Sequence, residues 1–169
     1  GTGMLEGNSI LYLLSKYVVF GKWLPEPISY QGVPPFLYWL RYLFTSFPSP
    51  LGGLDVQIHN VAWAGWSGLL VTSLNLIPMG TLDGGHILYS VFGKKASKIA
   101  PFIFVALILL GSAWQGWWLW AFMLYFLGRR HAEPLDQITE LDPMRKKIAL
   151  FMLIVFILVF IPVPLVVYG

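Results

Sequence analysis

The sequence predicts an all-α, polytopic membrane protein with about four transmembrane helices and additional interfacial helices. Of its 169 residues, 57% are hydrophobic and 11% are charged, whereas soluble domains are usually about half apolar and about a quarter charged. A chain of this length cannot bury so much apolar surface in its own core, so we expect lipid to cover the excess. Aromatic residues make up 17%, and their rings favour the membrane–water interface.

The charged residues are few, and the basic ones are clustered beside apolar runs. The net charge of +3 is too small and too dispersed to indicate nucleic-acid binding. The chain has no cysteine, so a bound metal would have to use histidine and carboxylate ligands. The basic clusters are Lys94, Lys95 and Lys98, then Arg129 and Arg130, then Arg145, Lys146 and Lys147.

Residues 1–60 form a predicted interfacial and loop region between core spans. Ile10–Phe20 has a helical apolar repeat but is too short to cross a bilayer, which takes about 20 apolar residues. Several prolines interrupt the region that follows. Between them, Phe36–Phe44 is a candidate aromatic helix. It could lie in the headgroup layer or pack on the protein as a lid.

Residues 61–169 form the predicted transmembrane region. Val61–Leu76 is uncharged and rich in small residues, which predicts the core of a spanning helix that packs closely on others. We expect this helix to end at Pro78 and a glycine-rich turn over Gly80–Gly85. A short helix, Ile87–Phe92, then follows.

Ile99–Gly128 has no charged residue and is too long for one untilted span. Gly and Ser at its centre favour a hairpin with arms Ile99–Ala113 and Trp117–Leu127. A single long tilted helix is the alternative. The hairpin puts the basic loops 94–98 and 129–147 on the same side, which the positive-inside rule predicts to be cytoplasmic.

Two further segments complete the chain. His131–Lys147 is a predicted polar loop. Ile148–Tyr168 is a predicted final span, with Pro162 and Pro164 near its end.

Asp83 is the first candidate for chemistry. An aspartate at membrane depth costs roughly 2.5–3.5 kcal/mol, so it is a functional candidate by default. Pro78, Gly84 and Gly85 favour an unwound backbone around it, and such backbone must line a cavity or be buried in protein. A carboxylate in that setting is a suitable zinc ligand. The alternative is that Asp83 caps the helix that follows.

The string Asn75–His86 resembles the signature of the site-2 protease family of intramembrane zinc metalloproteases. In that signature Asn-x-x-Pro precedes Leu-Asp-Gly, and the matching positions are Asn75, Pro78, Leu82, Asp83 and Gly84. The residues before the string, 64–72, and Gly85-His86 at its end are similar to the bacterial and plastid branch. The resemblance is close over His59–Gly93 and loose from there to the end.

The resemblance implies a role for each matching residue. Asp83 corresponds to the third protein ligand of a catalytic Zn²⁺, and Asn75 to a residue that steadies the oxyanion or the substrate carbonyl. His86 could hydrogen-bond Asp83 as a partner outside the metal's ligand set, or be a surface histidine of the helix. The residues implied to shape the motif are Pro78, Leu82, Gly84 and Gly85.

The chain departs from the family pattern because it lacks the His-Glu-x-x-His helix. That helix supplies the other two ligands and the general base. The three histidines here, His59, His86 and His131, are not spaced four apart, and none precedes glutamate. We therefore expect a carboxy-terminal part of the family's peptidase domain, inactive alone, whose Zn²⁺ site is completed by ligands outside this chain.

The leading functional hypothesis is therefore zinc-assisted hydrolysis of transmembrane protein or peptide substrates by the intact protein. Its expected partners are that substrate and the lipid bilayer, without nucleic acid. A non-catalytic membrane adaptor that retains the fold is one alternative. An ion-binding transporter element is another, since broken helices around an intramembrane aspartate also bind ions.

Overall fold

The computed structural model describes residues 3–45, 55, 57–79, 82–127 and 143–168, and they are mostly helical. The helices are α1 (Ile10–Phe20), α2 (Pro35–Thr45), α3 (Asn60–Asn75), α4 (Asp83–Phe92), α5 (Ala96–Leu110), α6 (Gly116–Leu127) and α7 (Pro143–Val159). The strands are β1 (Gly3–Glu6) and β2 (Leu165–Tyr168). The chain divides into one compact unit of residues 1–70 with 159–169 and a second of residues 71–158.

The prediction that the chain is mostly helical is confirmed. Over the described residues, the structure does not show the membrane-spanning helices that were predicted. Among the helices of the described ranges, none is at once long enough and apolar enough to cross a membrane.

The two ends of the chain pair as a small antiparallel sheet, which the all-α prediction did not include. Gly3 lies opposite Tyr168, and Glu6 opposite Leu165. The predicted final span Ile148–Tyr168 is therefore wrong over its last nine residues. Helix α7 ends at Val159 because Pro162 and Pro164 lack the amide hydrogen that a continuing helix needs.

The boundaries of α7 also correct the predicted polar loop His131–Lys147. Residues 143–147 form the first turn of α7, and Pro143 is favourable at this first position because its missing N–H needs no partner there. The part of the predicted loop before residue 143 lies outside the described residues.

Gly7 joins the sheet to the helices of the first unit. Its N–H donates to the Pro164 carbonyl (2.7 Å), and its carbonyl accepts from the indole Nε1 of Trp66 (2.8 Å). A methyl group at Gly7 would overlap the Val163 carbonyl oxygen. The adjacent Ser9 caps α1, because its hydroxyl oxygen accepts from the Tyr12 N–H (3.0 Å). The predicted helix Ile10–Phe20 is confirmed with identical bounds.

Helix α2 confirms the candidate aromatic helix and packs on the protein by one face. Tyr38, Trp39 and Tyr42 form a buried aromatic cluster, in which the Tyr38 and Trp39 rings meet edge to face at 5.5 Å. The cluster is completed by Leu13, Trp23 and Tyr30. The opposite side of α2 remains exposed through Phe36, Leu37, Leu40 and Phe44. The packed face agrees with the lid interpretation.

Helices α5 and α6 form the predicted hairpin, so the single long helix is excluded. Their arms are tied across the turn, where the Trp118 indole Nε1 donates to the Ile108 carbonyl (2.9 Å). Farther along the arms, the rings of Phe104 and Tyr125 lie 6.0 Å apart. Trp117 is fully buried at the turn and anchors the start of α6.

Candidate functional site

The site begins where α3 ends. The last regular helical hydrogen bond is donated by the Leu76 N–H to the Thr72 carbonyl (3.0 Å). Pro78 has no N–H to continue the pattern, and the Met79 N–H instead turns back to the Ile77 carbonyl (2.7 Å). Leu76, Ile77 and Pro78 are all buried, so protein surrounds this non-helical backbone. The prediction that the helix ends at Pro78 is confirmed, but the turn predicted over Gly80–Gly85 is wrong from Asp83 onwards, where the backbone is already helical.

Helix α4 begins directly after the break. The Leu82 carbonyl accepts from the Gly85 N–H (2.9 Å) and from the His86 N–H (3.2 Å), which starts the helix four residues earlier than predicted. Asp83 is the first residue of α4, and Leu82 occupies the capping position without a side-chain hydrogen bond. The alternative that Asp83 caps this helix is therefore wrong. Its carboxylate still lies at the favourable end of the helix dipole.

Gly84 determines how closely the start of α4 approaches the end of α3. A methyl group on its α-carbon would overlap the carbonyl oxygens of Leu76 and Ile77. Gly84 and Gly85 are both buried. The start of α4 therefore packs directly on the carbonyl oxygens at the end of α3, at a distance that only glycine permits.

The three polar side chains of the motif are not part of the buried junction. Asn75, Asp83 and His86 are exposed, and within the described ranges none of these side chains has a hydrogen-bond or ion-pair partner. Asn75 immediately precedes Leu76, and Asp83 immediately precedes Gly84. The contact between Gly84 and the Leu76 carbonyl therefore fixes the backbone beside Asp83 and Asn75. Both side chains remain accessible to an external group.

These residues fit a metal as a single ligand and not as a full site. The Asp83 carboxylate is open and free to coordinate Zn²⁺, which accepts aspartate oxygen. Over the part of the chain that the structure describes, no three histidine, aspartate or glutamate side chains lie together as a metal-binding group. Catalytic zinc usually takes three protein ligands, so a catalytic zinc at Asp83 would require further ligands in addition to it.

The other histidines do not join the site in the described ranges. The His59 Nδ1 accepts from the Val61 N–H (3.2 Å), and the His59 carbonyl accepts from the Trp63 N–H (2.9 Å). His59 therefore stabilises the start of α3. His131 lies outside the described residues.

A buried lysine in the first unit was missed by the sequence patterns, which marked Lys16 only as an interruption of an apolar stretch. Lys16 is 5% exposed, and its Nζ lies 4.4 Å from the centre of the Tyr12 ring. The Tyr12 hydroxyl donates to Glu6 Oε1 (2.8 Å). Burial lowers the pKa of Lys16 to about 8, although the charges of Glu6 and Asp55 oppose the change.

Burial also raises the pKa of Tyr12 above its ordinary value, and the hydrogen bond to Glu6 adds to the increase. Tyr12 therefore stays protonated and can donate to Glu6 throughout the ordinary pH range. A lone lysine in an apolar repeat gives no sequence signal for this arrangement, because the lysine could equally extend to solvent.

Comparison with known proteins identifies the segment that contains the site. Residues 54–112 match the model of peptidase family M50. This match includes α3, the break and α4, together with α5. No solved structure gives a significant match.

Several curated plant proteins are similar to this chain. "Probable zinc metalloprotease EGY2, chloroplastic" of Arabidopsis thaliana is 34% identical over 106 residues, which are 62% of this chain and 19% of that protein. "Probable zinc metalloprotease EGY1, chloroplastic" of the same plant is 34% identical over 117 residues, 67% of this chain and 21% of that protein. "DDT domain-containing protein PTM", also from Arabidopsis thaliana, is 39% identical over 65 residues, 37% of this chain and 4% of that protein.

The chain spans about a fifth of the length of the two metalloproteases that it resembles. The match to the family model covers the whole motif that sequence reasoning singled out, from Asn75 to His86. The family resemblance is thereby confirmed: residues 54–112 of this chain match peptidase family M50, the site-2 protease family, and the chain is similar to zinc metalloproteases.

Proposed function

We propose that this chain is the carboxy-terminal part of an intramembrane zinc metalloprotease, and that it supplies the aspartate ligand of the zinc site. The relatives named as zinc metalloproteases and the match to peptidase family M50 support the reaction class. The other ligands and the general base belong to parts of the intact protein beyond this chain.

The close packing of Gly84 against the Leu76 and Ile77 carbonyls carries the proposal. A metal ligand must be held in position before the metal arrives, because coordination tolerates little displacement. The glycine contact fixes the first turn of α4 on the end of α3, so the Asp83 backbone is rigid while its carboxylate stays open. An ordinary surface aspartate would require neither the broken helix nor the buried glycine.

Asp83 and Asn75 have different roles in this proposal. Asp83 donates carboxylate oxygen to the metal and adds negative charge to its surroundings. Asn75 presents a side-chain amide whose N–H can donate to the carbonyl oxygen of the scissile bond, and this hydrogen bond strengthens as negative charge develops there. When bound, Zn²⁺ supplies an activated water at neutral pH and polarises a carbonyl.

The proposed setting is the membrane, with residues 61–169 as part of the peptidase domain. The outer side of the α5–α6 hairpin supports it, because large apolar side chains are exposed there. These are Phe102, Leu109, Leu119, Phe122 and Phe126, each at least 60% exposed. Lipid would cover them, with the basic segments 94–98 and 129–147 on the cytoplasmic side. The substrate would be a transmembrane protein or peptide.

The test uses the intact protein that contains this chain. Asp83→Ala should lower the zinc content and abolish cleavage of a membrane-embedded substrate, while the helix content stays unchanged. Glu26→Ala, which removes a partly exposed carboxylate of the first unit that pairs with Lys22, should leave both unchanged. Full zinc content and full cleavage in Asp83→Ala would show that the proposal is wrong. Zinc binding without cleavage in the unmodified protein would favour the adaptor instead.

A further inference from the structure

One side of α5, together with the short helical turn Gly93–Lys95 that leads into it, carries lysines at its beginning and apolar side chains along the rest of its length. Lys95, Lys98, Phe102, Val105 and Leu109 are spaced alternately three and four residues apart, which places them on one face of a helix. All five are exposed, and the three apolar ones are 76%, 53% and 68% exposed in chain order. We call these five residues the α5 stripe.

The lysines at the beginning of the stripe do not stabilise the helix. Positive charge is unfavourable at a helix amino terminus, and the first turn of α5 contains no acidic residue. Among the described residues, neither Lys95 and Lys98 nor the neighbouring Lys94 forms an ion pair. Three ammonium groups therefore lie within five residues of one another, without a counterion from those parts of the chain. An anion from outside would relieve their repulsion.

The apolar part of the stripe restricts which anion fits. Phe102, Val105 and Leu109 continue directly from Lys98 along the same face. From Lys98 to Leu109 the helix rises by about 16 Å, close to the thickness of one leaflet of the hydrocarbon core, about 15 Å. A nucleic acid or a free phosphate would use the lysines and leave the apolar residues in water. An amphiphile with an anionic head would cover both parts.

We propose that the α5 stripe binds one anionic phospholipid. The phosphate lies at the ammonium groups of Lys95 and Lys98, with Lys94 beside them, and an acyl chain lies along Phe102, Val105 and Leu109. The opposite charges of the phosphate and the lysines determine where the headgroup lies. The apolar surface of the stripe is long enough for an acyl chain of the lipid. This site depends on the surface of α5 alone, so it is independent of the proposed proteolysis.

The experiment uses the full chain in micelles of a neutral detergent. Phosphatidylglycerol with a photoactivatable group on its acyl chain is added, and the sample is irradiated. The covalent adducts between lipid and protein are then mapped to peptides. Adducts are expected between residues 98 and 109. The same probe on phosphatidylcholine, which carries no net charge, should give a yield lower by about tenfold or more at these residues, since each surface lysine contributes about a fivefold factor in binding anionic lipid.

Two variants that change the same three positions separate charge from structure. Lys94→Gln/Lys95→Gln/Lys98→Gln should reduce the phosphatidylglycerol adducts to the phosphatidylcholine level. Lys94→Arg/Lys95→Arg/Lys98→Arg should retain them, because charge is preserved. In neutral micelles the Gln variant should keep its helix content and unfold at the same temperature or higher, because cations have left the amino terminus of α5. Loss of binding would then not come from unfolding.

Three results would overturn the proposal. Equal adduct yields with the two lipids would show that charge is not recognised. Adducts spread evenly over α5, α6 and α7 would show that the stripe is not a distinct site. Full protection by an equimolar amount of inorganic phosphate or of an acidic peptide would assign the lysines to a soluble anion or to a protein partner. None of these results depends on zinc content or peptidase activity.

Discussion

The α-carbon of Gly84 lies directly against the carbonyl oxygen of Leu76, and no side chain fits between them. This contact joins the first turn of α4 to the end of α3. Because Asp83 precedes Gly84 and Asn75 precedes Leu76, the contact also determines how far apart the two polar residues of the motif can be. The geometry of the candidate site therefore depends on a position that has no side chain of its own.

Replacing Gly84 with alanine should disturb this junction. The added methyl group would overlap two carbonyl oxygens, and backbone cannot rotate away as a side chain can. We expect a loss of about 1–3 kcal/mol in the free energy of unfolding, as is typical of overpacking, and a lower zinc content in the intact protein. Thermal unfolding followed by circular dichroism and metal analysis measure the two effects.

Gly65→Ala is the matched control for Gly84→Ala. Gly65 is also within a helix, but nothing lies within 4 Å of the place where its methyl group would be. Since alanine is the better helix former by about 1 kcal/mol, the variant should be as stable as the unmodified chain or more so. Equal stability of the two variants would show that the Gly84 contact is not needed.

Asn75→Ala should separate catalysis from metal binding. If the Asn75 amide donates to the developing oxyanion, its removal should lower kcat of the intact protein by about 10²–10³-fold. Zinc content should not change, because Asn75 is not a ligand in the proposal. Asn60→Ala removes the same exposed side chain at the other end of α3 and should have no effect on kcat. A fall in zinc content with Asn75→Ala would instead indicate a structural role.

Lys16 should make the stability of the chain depend on pH. Its pKa is about 8 in the folded chain, against 10.5 for an ordinary lysine, so between these values the unfolded chain binds more protons. The free energy of unfolding should therefore rise from pH 8 towards pH 10, with a limit of roughly 3 kcal/mol from this group. Above pH 10 the buried Tyr12 and Tyr42, whose pKa values are raised, should reverse the trend.

The substitution Lys16→Met tests this dependence. Methionine fills a similar volume without a charge, so the variant should be more stable than the unmodified chain at pH 7 and should show little rise between pH 8 and pH 10. Lys22→Met removes a solvent-exposed lysine that pairs with Glu26 and should leave the pH dependence unchanged. Unfolding temperatures measured at intervals of pH would show the difference, and identical curves for the two variants would contradict the assignment.

The turn of the α5–α6 hairpin should be sensitive to a methyl group at Gly111. The methyl group would overlap the Trp118 indole, which would have to rotate and give up its hydrogen bond to the Ile108 carbonyl. We expect a loss of about 1–2 kcal/mol, since one net hydrogen bond contributes about 1 kcal/mol and the ring contacts add to it. Thermal unfolding of the Gly111→Ala variant measures this loss.

A double-mutant cycle identifies the cause of the Gly111 effect. Trp118→Phe removes the same hydrogen bond, so the combined variant should lose less than the sum of the two single changes. Strict additivity would mean that Gly111 and Trp118 act separately.

The helices were largely predictable because their signals are local. The apolar repeat of Ile10–Phe20 predicted α1 with its observed bounds, and the Gly-Ser interruption within Ile99–Gly128 predicted the hairpin. The twelve residues from Asn75 to His86 were sufficient to indicate the family, which the family model then confirmed. Each of these features depends on residues that are neighbours in sequence, so composition and spacing contain the information.

The sequence by itself thus determined the helical character of the chain, the break at Pro78 and the resemblance of the motif to a peptidase family. Only the tertiary structure decided that β1 pairs with β2, that Lys16 is buried, and that Gly84 packs on the Leu76 carbonyl. The physical reason is that these features depend on which distant or non-helical segments meet in space. The pairing of the strands and the burial of Lys16 depend on the packing of the whole unit. They cannot be predicted from a local pattern of residues.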